Sequence, residues 1–152
     1  MARSHRRPLL QVSLCGLAFG LLLTSCGSPT GPAAVPCTKT TAFKGGIQLP
    51  PNTPHVQSFT TPATGALDVT VDWTSASNIM NVVLAQSPCT TDQLAASGCN
   101  VLFSAWSPPK PLRESTSLLP PGTYVLIVGN PNPAAESISA EVVLSSAGCP
   151  AP

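Results

Sequence analysis

Proline decides what this chain cannot become. Of its 18 prolines, all but Pro8 lie downstream of the first ten residues, and no later segment runs far without Pro or Gly while keeping a helical period. A proline inside a helix removes a backbone hydrogen bond and clashes with the preceding turn, at ~3 kcal/mol or more, so long helices are excluded. What the prolines and glycines separate is a series of short apolar runs with turn residues between them. These are Thr38 to Phe43, Gly46 to Leu49, Val56 to Thr61, Leu67 to Thr74, Asn81 to Gln86, Asn100 to Trp106, Glu114 to Leu118, Thr123 to Gly129 and Ser137 to Leu144. Runs of this length, rich in Val, Ile, Leu and Thr, read as strands.

Their alternation assigns faces. In Leu67-Asp68-Val69-Thr70-Val71-Asp72-Trp73 the apolar residues share one side and the polar ones the other, the pattern of a strand with one wet face. Trp73 therefore belongs to the core. Tyr124, Leu126 and Val128 alternate with Val125 and Ile127, so both faces are apolar and the strand is expected to be central and covered on both sides. Ile138, Ala140, Val142 and Leu144 alternate with Ser139, Glu141 and Val143 as a half-buried last strand. The fold expected is all-β: a single antiparallel β-sandwich, jelly-roll-like, with about 8 to 9 short strands and little helix. The one helical candidate is Thr91 to Ala96, with Asp92 placed to cap a single turn.

The first 25 residues are read as an address. Arg3, His5, Arg6 and Arg7 precede an apolar core from Leu9 to Leu23, the layout of an export signal. At about 15 residues, interrupted by Gln11, Ser13, Gly16 and Gly20, that core falls short of the ~20 a spanning helix requires. It ends in Leu23-Thr24-Ser25-Cys26, which resembles the lipobox of bacterial lipoproteins. In that family the cysteine sulfur receives a diacylglyceryl group, the chain is cut before it, and the new amino group is acylated. The resemblance implies a signal peptide over 1–25, lipidation of Cys26 and a membrane partner reached through that lipid, with two acyl signals giving stable anchoring. Gly27 and Ser28, with no Asp beside the cysteine, imply the outer membrane by the same resemblance. Arg6-Arg7-Pro8-Leu9-Leu10 also resembles a twin-arginine signal, which leaves two export routes open. Residues 26–36, rich in Pro, Gly and small side chains, read as a flexible tether, and 37–149 as the sandwich domain.

Removing the leader changes the chemistry of what remains. The retained bases Lys39, Lys44, Lys110 and Arg113 face six acids, Asp68, Asp72, Asp92, Glu114, Glu136 and Glu141, so four minus six gives a net charge near −2. No basic cluster survives to grip phosphates, which argues against nucleic acid as a partner. With Cys15 lost and Cys26 lipidated, the six cysteines become four, and in an oxidising compartment four imply two disulfides in one of three connectivities. Cys89 and Cys99 bracket a turn-like segment, while Cys37 and Cys149 mark the domain's two ends, so those are the pairs expected. No Cys-x-x-Cys pair or histidine partner supports a metal, and no metal or cofactor is expected.

Catalytic constellations are sparse. His55 is the one histidine after the leader, and no Gly-x-Ser-x-Gly elbow accompanies it. Asp68 and Asp72, four residues apart on one strand face, lie about 13 Å apart, beyond the ~5 to 9.5 Å that paired carboxyls need in glycoside hydrolysis. No catalytic residues are assigned. Trp106 is the candidate binding residue: it ends a strand before Ser107-Pro108-Pro109-Lys110-Pro111, where a rigid loop either holds an exposed ring for recognition or folds it over the sandwich end.

From Val56 to Leu144 the chain also resembles the bacterial pre-peptidase C-terminal domain, a small β-sandwich appended to secreted peptidases. The resemblance rests on Phe59, the strand Leu67 to Trp73, Asn81-Val82-Val83-Leu84, and Leu119-Pro120-Pro121-Gly122-Thr123-Tyr124 leading into Val125-Leu126-Ile127-Val128-Gly129-Asn130. The family often carries an Asp-x-Asp pair after the tryptophan strand, sometimes linked to calcium, where this chain has Ile79 and Asn81. Asp72, Asn78 and Asn81 alone make a poor oxygen set for that ion. The expected function is that of a non-catalytic, lipid-anchored envelope lipoprotein whose sandwich binds a protein or glycan. The alternatives are an accessory of a secreted hydrolase or peptidase system and a structural surface subunit.

Overall fold

The computed structural model describes residues 35–150. Cys26, the leader and most of the tether lie outside the described residues. Eight strands and one short helix follow in the order β1 (Lys39–Leu49), β2 (Thr53–Thr61), β3 (Gly65–Trp73), β4 (Asn81–Gln86), α1 (Thr91–Ala95), β5 (Val101–Trp106), β6 (Leu112–Ser115), β7 (Gly122–Asn130) and β8 (Glu136–Ser146). They form two four-stranded antiparallel sheets, β1-β8-β3-β6 and β2-β7-β4-β5. The chain changes sheet at every connection except β4 to β5, which gives the strand order of a jelly roll. The expected antiparallel sandwich is therefore the fold.

Two expected runs merge. Thr38 to Phe43 and Gly46 to Leu49 are both parts of β1, because Gly45 and Gly46 keep pairing, with Ala140 and Ser139 of β8. The only irregularity is a bulge at Ala42, where Thr41 pairs with Val143 and Phe43 with Val142. Near the chain's middle, β6 is shifted upstream of the run Glu114 to Leu118. Leu112 sits opposite Val71 and is buried in the core, while Thr116 turns away and closes the strand by accepting from the Leu67 amide through Oγ1 at 2.9 Å.

The core lies between the sheets, where the inward residues of the alternating strands meet. Leu67, Val69, Val71 and Trp73 of β3 and Ile138, Ala140, Val142 and Leu144 of β8 face Val82 and Leu84 of β4 and Tyr124, Leu126 and Val128 of β7. Burying each of the larger aliphatic chains contributes ~1.5 to 3 kcal/mol. Trp73 is buried as expected and its indole N–H donates to the Asn78 carbonyl at 2.9 Å. Tyr124 stacks against Phe59 with ring centroids 6.1 Å apart and sends its hydroxyl back to the Pro120 carbonyl at 2.6 Å, tying the loop before β7 to the core. Burial pushes the Tyr124 phenol above its ordinary pKa.

β7 is covered on both faces. Its outward Val125 and Ile127 form a second buried cluster with Val83, Ala85 and Cys89 beneath α1. The two disulfides are Cys37–Cys149 and Cys89–Cys99, the pairs expected. The helix cap differs from expectation: Thr90, not Asp92, is the N-cap. Its hydroxyl accepts from the Gln93 amide while the Gln93 side chain accepts from the Thr90 amide, a capping box that needs a long side chain at the third helical position. Asp92 lies in the first turn, where the helix dipole favours an acid.

Candidate functional site

The outer face of the sheet β2-β7-β4-β5 carries the site. Because side chains alternate along a strand, the register that sends Val82, Leu84, Leu126 and Val128 inward sends Asn81, Val83, Ile127 and Gly129 outward. β5 adds Trp106 opposite Asn81 and Ser104 opposite Val83, and β2 adds Pro54 opposite Gly129. One half of this face is closed by α1 and the Cys89–Cys99 bond over Ala85 and Val125. The other half is an open groove of about 660 Å³, with Val83, Ile127 and Gly129 among the residues lining it, Leu94 and Ala95 of α1 at one wall and Trp106 at another.

Trp106 is 66% exposed, so it is not folded over the end of the sandwich. Two features hold the backbone beneath it. Ser107 takes a left-handed conformation, with φ of 55°, and its amide donates to the Met80 carbonyl at 3.0 Å, so the chain leaves the sheet directly after the ring. Gly129, paired with Asn81, adds no side chain to the groove.

Electrostatically the two sheets are unlike. The strands of β1-β8-β3-β6 contain Lys39, Lys44, Asp68, Asp72, Arg113, Glu114, Glu136 and Glu141, whereas β2, β4, β5 and β7 contain no Asp, Glu, Lys or Arg. None of the residues lining the groove is ionisable except Cys99, which is disulfide-bonded. The ion pairs Lys39–Asp68, Lys44–Glu141 and Lys110–Asp72 involve carboxylates of the other sheet, at 3.6, 3.2 and 3.5 Å.

The groove opens at the pole away from the Cys37–Cys149 bond. The turn from Thr61 to Gly65 joins β2 to β3 beside Ser146, so Cys37 and Cys149 mark that pole of the sandwich. Trp106 pairs with Asn81, and Asn81 with Gly129 near the far end of β7, roughly 23 Å along the strand from Gly122 at ~3.3 Å per residue.

A buried polar clamp that the sequence reading did not single out holds this far pole. The Asn130 amide donates to the carbonyls of Leu49, Pro50 and Ala134 at 3.3, 3.1 and 2.8 Å. Asn132 exchanges two hydrogen bonds with the Ile79 backbone, at 3.2 and 2.6 Å, which fixes the approach to Asn81. Glu136, only 2% exposed, accepts from the amides of Thr74 and Ser75 at 3.0 and 3.2 Å and from the Asn78 side chain. Asn130-Pro131-Asn132 signals a turn in sequence, but not that its amides reach three other segments.

The remaining sequence candidates are dispersed. His55 lies opposite Val128 on the edge strand β2, and among the described residues it makes no side-chain hydrogen bond to a hydroxyl. Asp68 accepts from Ser115 and Ser145, both at 2.7 Å. Its partial burial raises its pKa, but those two hydroxyls and Lys39 together outweigh that and hold the carboxyl below its ordinary value. Asp72 pairs with Lys110, whereas the Asn78 side chain donates its amide N–H to Glu136, so the residues weighed for calcium are drawn to separate partners. Among the described residues no three His, Cys, Asp or Glu side chains gather where they could hold a metal ion.

No protein-family model matches the chain, and no curated protein matches it. Among solved structures it is similar to the pre-peptidase C-terminal domain of a collagenase from Bacillus anthracis, at 15% identity and a TM-score of 0.47, over 65% of this chain and 88% of that one. It is also similar to a mitogen derived from Yersinia pseudotuberculosis, at 12% identity and a TM-score of 0.38, over 76% of this chain and 97% of that one. Both likenesses are distant.

Proposed function

We propose that the chain is a non-catalytic, lipid-anchored recognition module of a bacterial cell envelope. In this reading residues 1–25 are removed, Cys26 carries the lipid, 26–36 form the tether and 37–149 present the binding surface. The observation that carries the binding role is Trp106, a large ring left 66% exposed beside a mostly apolar groove. Exposed aromatic rings cost free energy in water and are the side chains most enriched where partners bind. The two disulfides suit an exported protein, since thiols stay reduced in the cytosol. Gly27 and Ser28, with no Asp beside Cys26, support an outer-membrane location.

Two variants test the proposal separately. Cys26→Ser is expected to move the protein from the membrane fraction to the soluble or unprocessed pool; attachment that persisted unaltered would overturn the anchor. Trp106→Ala is expected to abolish capture of solubilised envelope fragments by the purified protein without lowering its melting temperature. Undiminished capture would remove the groove as the binding surface.

A further inference from the structure

We infer that the Trp106 groove takes a neutral glycan, the ring stacking on the apolar face of one sugar unit. The inference rests on the binding role proposed above and names its ligand class.

Charge narrows the choice first. An anionic polymer needs cations at its site, and a cationic peptide needs acids, yet the four strands that build this face carry neither and the groove lining is uncharged. The geometry of the floor narrows it further. Val83 and Ile127 belong to β4 and β7, each paired on both sides, so their backbone groups are already bonded within the sheet. An extended peptide laid on that floor would leave its own N–H and C=O groups facing apolar side chains, with a desolvation penalty for each group left unbonded. Peptides that add to sheets use an edge for this reason.

A pyranose ring has the opposite distribution of polarity. Its C–H face is apolar and suits the exposed indole, while its hydroxyls point outward around the ring. The rim supplies what those hydroxyls need. Asn81, Ser104, Ser97 and Thr91 line the groove, and among the described residues none of their side chains is engaged in an intramolecular hydrogen bond. Amides and hydroxyls both donate and accept, as sugar hydroxyls do, and they do so without charge. The groove's volume of about 660 Å³ lies within the ~300 to 1,000 Å³ common for ligand sites. It is also held ready: the Cys89–Cys99 bond secures α1, and Asn132 secures the backbone before Asn81.

The experiment uses the full-length lipidated protein in a zwitterionic detergent, because sugar-headed detergents would compete for the groove. Maltohexaose, cellohexaose, xylohexaose, mannohexaose and chitohexaose are titrated while tryptophan emission is followed. Trp73 is buried and serves as an internal constant, so a saturable blue shift reports desolvation of Trp106. At least one oligosaccharide is expected to bind, with affinity weakened about tenfold or more by Trp106→Ala. Ser104→Arg, which fills the groove from an exposed position opposite Val83, is expected to weaken it similarly with the melting temperature unchanged. If none of the sugars shifts the emission while Trp106→Ala still abolishes capture of an envelope protein, the glycan is wrong and the binding role stands. If sugar binding is indifferent to both variants, the groove is not the site. If neither sugar nor envelope protein depends on Trp106, both readings fall.

Discussion

Removing the Cys37–Cys149 bond by a double alanine substitution is expected to act almost wholly on the unfolded chain. The bond spans 112 residues in sequence, whereas Cys89–Cys99 spans 10. In the chain-entropy treatment the entropy lost by the cross-linked unfolded chain grows with the logarithm of loop length, giving ~5 kcal/mol for the long loop and ~3 for the short one at 25 °C. The folded ends have other restraints. The Ser146 amide donates to the Thr38 carbonyl at 2.9 Å, the Thr38 amide donates to the Ser146 hydroxyl at 2.9 Å, and β1 stays paired with β8 from Lys39 onward. Against this, Cys89 is 4% exposed among Val83, Ala85, Val125 and Ile127, so its truncation adds a packing loss of ~1 kcal/mol and narrows the gap between the two double variants to ~1 kcal/mol. Urea unfolding of both double variants, each compared with the parent, measures the difference. With a slope of ~2 kcal/mol per M, the long-loop variant loses about 2 to 3 M in midpoint. Its slope rises as well, because the released chain exposes more surface. If the Cys89–Cys99 variant proved the less stable of the two, or the Cys37–Cys149 variant kept the parent's slope, loop entropy would not be what the long bond contributes.

Three further outcomes follow from the described contacts. Tyr124→Phe deletes the 2.6 Å bond to Pro120 while keeping the stack on Phe59, and is expected to cost ~1 to 2 kcal/mol in urea unfolding with the fold unchanged by circular dichroism. Glu136→Gln places an amide against three donors, so a loss of ~2 to 3 kcal/mol is expected, together with faster hydrogen exchange at the Thr74 and Ser75 amides; unaltered exchange there would refute the clamp. Asp68 is held below the usual carboxylate pKa, so its contribution is complete above pH ~4 and is lost as pH falls through the lowered value. Asp68→Asn is expected to flatten the acid limb of the stability profile below pH ~4, and an unchanged limb would mean that Ser115, Ser145 and Lys39 do not stabilise the charge.

How far the strands were legible depended on their alternation. Leu67 to Trp73 declares its buried face, and β3 pairs over all of it with β8. Glycine misled at β1: Gly45 and Gly46 resemble a break, yet cross-strand pairing with β8 carries the strand through them. Propensity placed the helix cap two residues late, because Asp and Thr are both good caps and only the reach of Gln93 back to Thr90 decides between them. Of the site, Trp106 was visible as a ring before a proline-rich loop. Its partners Asn81, Ser104 and Ile127 were not, since each is unremarkable within its own strand.

The sequence alone determined the class of the fold, the inward face of the clearest strands, the scarcity of helix and the supply of cysteines for two bonds, because these follow from local periodicity and from proline. Only the tertiary structure decided that the uncharged strands share one sheet and the charged ones the other. Strand order is set by pairings between residues far apart in the chain, such as Asn81 with both Trp106 and Gly129. No local pattern encodes which strands become neighbours, and the groove exists only where those neighbours meet.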